Sequence, residues 1–83
     1  MLVVNGVFPS SVDYFRFAKA FNESELSQPQ HHLLKTSVDF LSRKITASIK
    51  FADHAIFLVD HSFKEGLLSE WRDIFELKDA ANP

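Results

Sequence analysis

Apolar residues recur at alternating steps of four and three through Leu34, Val38, Leu41 and Ile45, and again at Ala52, Ala55 and Val59. That is the period of one helix face. The run that carries it, Gln30 to Glu65, holds no glycine and no proline, so nothing in it marks a turn. With Val38, Ile45, Ala52 and Val59 at heptad position a, Leu34, Leu41, Ser48 and Ala55 fall at d. The seam is narrow before Ser48. Beyond it, Ile49, Phe51, Ile56, Leu58 and Phe63 widen the apolar face, opposite Lys50, Asp53, His54, Asp60, His61 and Lys64. A narrow seam serves one neighbour and a broad face serves two or more. A helix over the whole run would be about 54 Å long. The flanking segments are too short to cover it, so the pattern predicts either a break or a second chain alongside.

Three further segments flank the run. Residues 1–9 hold Leu2, Val3, Val4, Val7 and Phe8 around Asn5-Gly6, which predicts a short strand or an extended arm. Residues 10–27 read as a helix. Ser10 and Asp13 stand at capping-box spacing, and Val12, Tyr14, Phe15, Phe17, Ala18 and Phe21 leave only Asp13, Arg16 and Lys19 for water. Asn22 to Gln30 is polar and contains Pro29, so a loop is expected there. Gly66 is placed to cap the long helix. Leu67, Leu68, Trp71, Ile74, Phe75 and Lys78 then recur at helical spacing, which predicts a helix over 67–79. The expected fold is mainly α: one domain, a small helical bundle around a long or once-broken helix over 30–65, with a short N-terminal extended or β segment.

The same residues admit a second reading. His54-Ala55-Ile56-Phe57-Leu58-Val59-Asp60 also fits a buried parallel strand, because a short apolar run has no decisive period. The chain then becomes a small α/β unit with strands near 2–8 and 55–59. Read so, Ile45 to Phe75 resembles the helix–strand–helix passage of TIR domains. Ile56 to Val59 match the family's apolar strand. Ser62 or Phe63 falls in its Ser-x-x-Phe-like loop, and Ser69-Glu70-Trp71 matches the Ser-x-Trp that opens the next helix. The resemblance implies a signalling or nucleotide-binding module. Enzymatic members carry a glutamate four residues after the tryptophan; Phe75 stands at that position here, with Glu76 one further on.

Composition narrows the function classes. A chain of 83 residues buries only about 60–65% of the surface it exposes when unfolded. Its residues are nonetheless 46% hydrophobic, with nine phenylalanines. That is more apolar area than one short chain readily hides, and it predicts a homodimer. The formal net charge of −2 does not recommend nucleic acid or an anionic membrane as partner. The absence of cysteine excludes thiol nucleophiles and thiolate metal sites and fits a cytoplasmic protein. The first residues lack a basic n-region, and no apolar run approaches the roughly 20 residues that span a bilayer.

Candidate chemistry is sparse. Asp53-His54 and Asp60-His61 repeat a dipeptide, but on a helix the pairs stand about 10 Å apart, too far to share one metal ion. His61 and Glu65 have the useful spacing of four, while His31 and His32 diverge. These histidines read as polar surface, with no metal site. Asp53, Asp60 and Glu65 stand in no arrangement that demands acid–base work. No serine sits in a glycine-framed elbow, and two glycines make no phosphate-cradling loop. Arg43 and Lys50 form a short basic strip beside Lys44, with Arg16 and Lys19 elsewhere.

The expectation is therefore a non-catalytic protein-interaction module: an adaptor, inhibitor or regulatory subunit, cytoplasmic, homodimeric, and presenting an apolar helix face to a protein partner. Phe40, Phe57, Phe63, Trp71 and Phe75 are the candidate partner-binding residues, because exposed aromatic anchors dominate interfaces. No catalytic residue, cofactor or metal is assigned. The alternatives are the reduced TIR-like module and, third, a helical dimeric DNA-binding regulator.

Overall fold

The computed structural model describes residues 2–47, 51, 53–59 and 67–79. In chain order these form β1 (Leu2–Val7), α1 (Ser11–Asn22), two 3-10 turns (Glu25–Ser27 and Pro29–His31), α2 (His32–Ala47), β2 (His54–Val59), a further 3-10 turn (Ser69–Ile74) and β3 (Phe75–Asp79). The strands make one sheet in the order β2-β1-β3. Both pairings are antiparallel, with Leu2 opposite Val59 on one side and Asp79 on the other.

This is a small α+β domain, and the expectation of a mainly α bundle is overturned. The run from Gln30 to Glu65 is not one helix: α2 spans His32–Ala47 and β2 occupies His54–Val59. The helix expected over 67–79 is instead a 3-10 turn feeding a strand. Strands do lie where the α/β alternative put them, near 2–8 and 55–59, but they pair antiparallel rather than parallel. The physical reason is non-local. Six residues of β1 find register partners in β2, and that ladder outweighs a helical period that a short apolar run carries by coincidence. In β3 the alternation of Phe75, Glu76, Leu77 and Lys78 puts Phe75 and Leu77 against the core and the two charges outside. Ser48, Lys50, Ala52, Asp60, His61, Phe63, Glu65 and Gly66 lie outside the described residues.

One face of the sheet is covered by the helices. Leu2, Val4 and Phe8 in and just after β1, with Ala55, Phe57 and Val59 of β2, meet Tyr14, Phe17, Ala18 and Phe21 of α1 and Leu34 and Val38 of α2. Helix α1 starts as the sequence predicts: the Asp13 N–H donates to Ser10 Oγ at 3.3 Å, and Ser10 Oγ donates back to Asp13 Oδ2 at 2.7 Å. The Tyr14 hydroxyl ties the two helices together by donating to the Val38 carbonyl at 3.0 Å. The radius of gyration is 12.0 Å, against about 12 Å for a compact chain of this length. A broken run thus removes the over-long rod, and with it that part of the case for a second chain.

Gly6 is the tightest point of the sheet. A Cβ there would stand 2.6 Å from Phe75 Cε1 and 2.8 Å from Phe8 Cε2. Phe8 is buried and has little room to give. Gly6→Ala is expected to cost about 1–3 kcal/mol through overpacking, read as a fall in thermal midpoint; an unchanged midpoint would contradict the packing described.

Burial raises the pKa of Tyr14 above 10.0; the Asp39 charge adds to the shift, while the hydrogen bond from Ser42 opposes it. A raised pKa means that the folded chain keeps its phenol proton after the unfolded chain has released it. The stabilisation is thus complete below pH 10 and is lost as pH rises through the folded value. Tyr14 is the one tyrosine of the chain, so absorbance at about 295 nm reports it directly. The midpoint should fall with alkaline pH in the parent, and Tyr14→Phe should remove the phenol's share of that fall.

Candidate interaction surface

Among the described residues, no helix lies on the other face of the sheet. Strand alternation sends Val3, Asn5 and Val7 of β1 to it, together with His54, Ile56 and Leu58 of β2 and Glu76 and Lys78 of β3. Ile56 is 62% exposed, Val7 52% and Leu58 43%. An antiparallel sheet with one wet face normally shows polar side chains there, yet four of these eight positions are aliphatic. Glu76 and Lys78 form an exposed ion pair at 3.5 Å on the β3 side, and His54 closes the β2 side, 3.5 Å from Asp53.

Register places these side chains in rows across the strands. Lys78, Val3 and Leu58 form one row, and Glu76, Asn5 and Ile56 form the next. The Phe8 N–H donates to the Asp53 carbonyl at 2.9 Å, so the even-numbered residues of β1 make the bonds to β2. The amides of Ile56 and Leu58 then point to the outer edge of β2. There the Leu58 N–H donates to Ser37 Oγ of α2 at 3.3 Å. Helix α2 thus occupies that edge and limits strand addition along it.

The five aromatic candidates divide sharply. Phe57 is 0% exposed and packs against Tyr14, Phe17 and Phe75. With Val59 at heptad position a, Phe57 would fall at f, opposite the seam; as a strand residue it points into the core, and a partner cannot reach it in this fold. Trp71 and Phe75 are half-buried, with ring centroids 5.6 and 5.0 Å from that of Phe17. They work first as core residues. Phe40 is 50% exposed on α2, with Lys44 Nζ 5.2 Å from its ring centroid. By helical spacing it stands one turn along the side of α2 that bears Ser37. Phe63 lies outside the described residues. The sequence pattern singles out neither Val3 nor Val7, and it puts Ile56 and Leu58 on a helix in the main reading and on a strand only in the alternative. The signal that marks all four is their outward position in strands.

Among the described residues, no group of three or more His, Cys, Asp or Glu side chains comes together to hold a metal ion. His31 corrects the view of the histidines as surface residues: it is 8% exposed, and its Nδ1 has no hydrogen-bond partner among the described residues, nor does Trp71 Nε1. His31 borders a shallow cleft with Ser24, Glu25, Leu26, Gln30 and Leu68. No helix among the described residues is long and apolar enough to cross a membrane. Where the TIR resemblance implies a parallel strand and an α-helix opening at Ser69, the described residues form a strand antiparallel to β1 and a 3-10 turn over Ser69–Ile74. Compared with protein-family models, with curated proteins and with solved structures, the chain gives no match.

Two truncations separate core from surface. Phe57→Ala should cost about 3–5 kcal/mol, enough to unfold much of a marginal domain. Phe40→Ala should stay within about 1 kcal/mol. Urea unfolding followed by circular dichroism measures both, and equal costs would contradict the burial assigned to Phe57.

Proposed function

We propose that this chain is a non-catalytic protein-interaction module, an adaptor, inhibitor or regulatory subunit, whose contact surface is the open face of its sheet. The observation that carries the reading is the exposure of Val7, Ile56 and Leu58 on that face. Each is about half exposed, so covering it against a partner is worth about 1 kcal/mol, roughly half the gain of full burial. Contiguous apolar surface rimmed by polar groups marks an interaction site more often than ordinary surface. The reading moves the binding surface from a helix face to the sheet, because most apolar residues of α1 and α2 pack into the core, leaving Val12, Phe15 and Phe40 exposed. A cytoplasmic setting belongs to the same proposal and is supported by the lack of cysteine.

Ile56→Thr combined with Leu58→Thr tests it. Threonine supplies a β-branched side chain suited to a strand at both positions but removes most of the apolar surface. The double variant should fold, with a stability change of about 1 kcal/mol or less. With chemical cross-linking in the source cell, which traps contacts that exchange quickly, a tagged parent chain should retain partner protein, further copies of the chain included, and the variant should lose it. Identical captured sets, or nothing captured by either chain, would overturn the reading.

A further inference from the structure

We infer that the occupant of the open sheet face is a second copy of this chain, seated face to face about a two-fold axis that crosses the strands at the level of Val4, Phe57 and Leu77. The inference rests on the reading of that face as a protein-interaction surface. A symmetric dimer needs a patch that complements itself, and the rows allow a direct check. An axis across the strands, midway between the two rows, lays each row on the other row of the second copy. Lys78 then meets Glu76 of the second copy and Glu76 meets its Lys78. Leu58 meets Ile56 and Ile56 meets Leu58, while Val3 covers Asn5. Opposite charges meet at one rim and aliphatic groups meet at the other.

The other in-plane axis, along β1, gives a different result. It lays β3 on β2 of the second copy, which seats Lys78 on Leu58 and Glu76 on Ile56 and desolvates both charges against aliphatic side chains. Burying unpaired charge is costly. Of the two arrangements, the register and charge pattern thus select the first. Two sheets stacked in this way pack about 10 Å apart with their strands within about 30° of alignment.

The face is small, which sets the strength of the dimer. Three strands about 4.8 Å apart and six residues long cover on the order of 300 Å², against about 800 Å² per partner in a standard interface. Asn5 at the centre adds a desolvation cost. The dimer is therefore weak, with a dissociation constant on the order of 10–100 μM, and it exchanges readily with monomer.

The test is sedimentation equilibrium of the full chain over about 5–500 μM, a range that brackets this affinity. The mass should rise from one chain toward two. Glu76→Lys alone and Lys78→Glu alone each oppose like charges across the axis and should weaken the dimer about tenfold. The double exchange, E76K with K78E, restores both pairs and should return the affinity to within about threefold of the parent. Both residues are exposed, so all three variants should keep the parent circular dichroism spectrum. A parent chain that stays monomeric at the highest concentration overturns the inference, as does a dimer indifferent to the single reversals or a double exchange that fails to restore it. A monomeric parent whose open face still captures a different protein overturns this inference and leaves the interaction reading standing. Face substitutions that change neither self-association nor capture overturn both.

Discussion

Six aromatic rings have centroids within 6.4 Å of that of Phe17: Phe8, Tyr14, Phe21, Phe57, Trp71 and Phe75. They come from α1, from β2 and β3, from the residue just after β1 and from the 3-10 turn before β3. Each well-placed aromatic pair adds about 0.5–1.5 kcal/mol beyond the area it buries. In a domain whose net stability is only a few kcal/mol, a nucleus of this kind decides which elements coexist. It also explains Gly6. Phe8 and Phe75 crowd the backbone there so closely that no side chain fits between them, and the rings gain contact with the sheet that a larger residue would deny them.

The nucleus lies on one side of the sheet. Both α1 and α2 are drawn to it, and among the described residues neither covers the far side. Most antiparallel sheets resolve this by placing polar side chains on the open face. Here β1 and β2 are apolar on both faces, as strands buried from two sides are. Val12, Phe15 and Phe40 are exposed singly on the helices, whereas Val3, Val7, Ile56 and Leu58 gather on one sheet face, at odds with the usual pattern. A local conflict of this kind is where function is to be sought. The ion pair of Glu76 and Lys78 at the rim gives the conflict a direction, because it matches a copy of itself in one orientation and clashes in the other.

Much of the architecture was legible one element at a time. The Ser10 cap and the apolar residues of α1 were readable because a capped amphipathic helix is a local object. The strand at the N-terminus was readable from its β-branched residues. The segment from Ala55 to Val59 was recognised as ambiguous, and it is the element that overturns the bundle. Nothing local distinguishes Ala-Ile-Phe-Leu-Val in a strand from the same residues on a broad helix face. What decides is β1, some fifty residues away. The third strand was missed for a related reason. Trp71, Ile74, Phe75 and Lys78 fit a helical period, and that fit concealed the strict alternation from Phe75 to Lys78. The candidate surface was legible only in part, because an exposed strand face has no meaning until strands have been assigned. Phe57 was an interface anchor on a helix and is a core residue on a strand.

Everything above depends on residues 54–59 pairing antiparallel with β1. Nuclear Overhauser contacts test that pairing most directly. Close contacts between α-protons are expected at the pairs that do not exchange backbone hydrogen bonds, which here are Val3 with Leu58 and Asn5 with Ile56. Their observation, with strong sequential contacts of an extended chain through His54–Val59, is the result this structure predicts. Helical contacts between residues three apart through the same segment, with none to β1, would contradict it and return the chain to a bundle of helices.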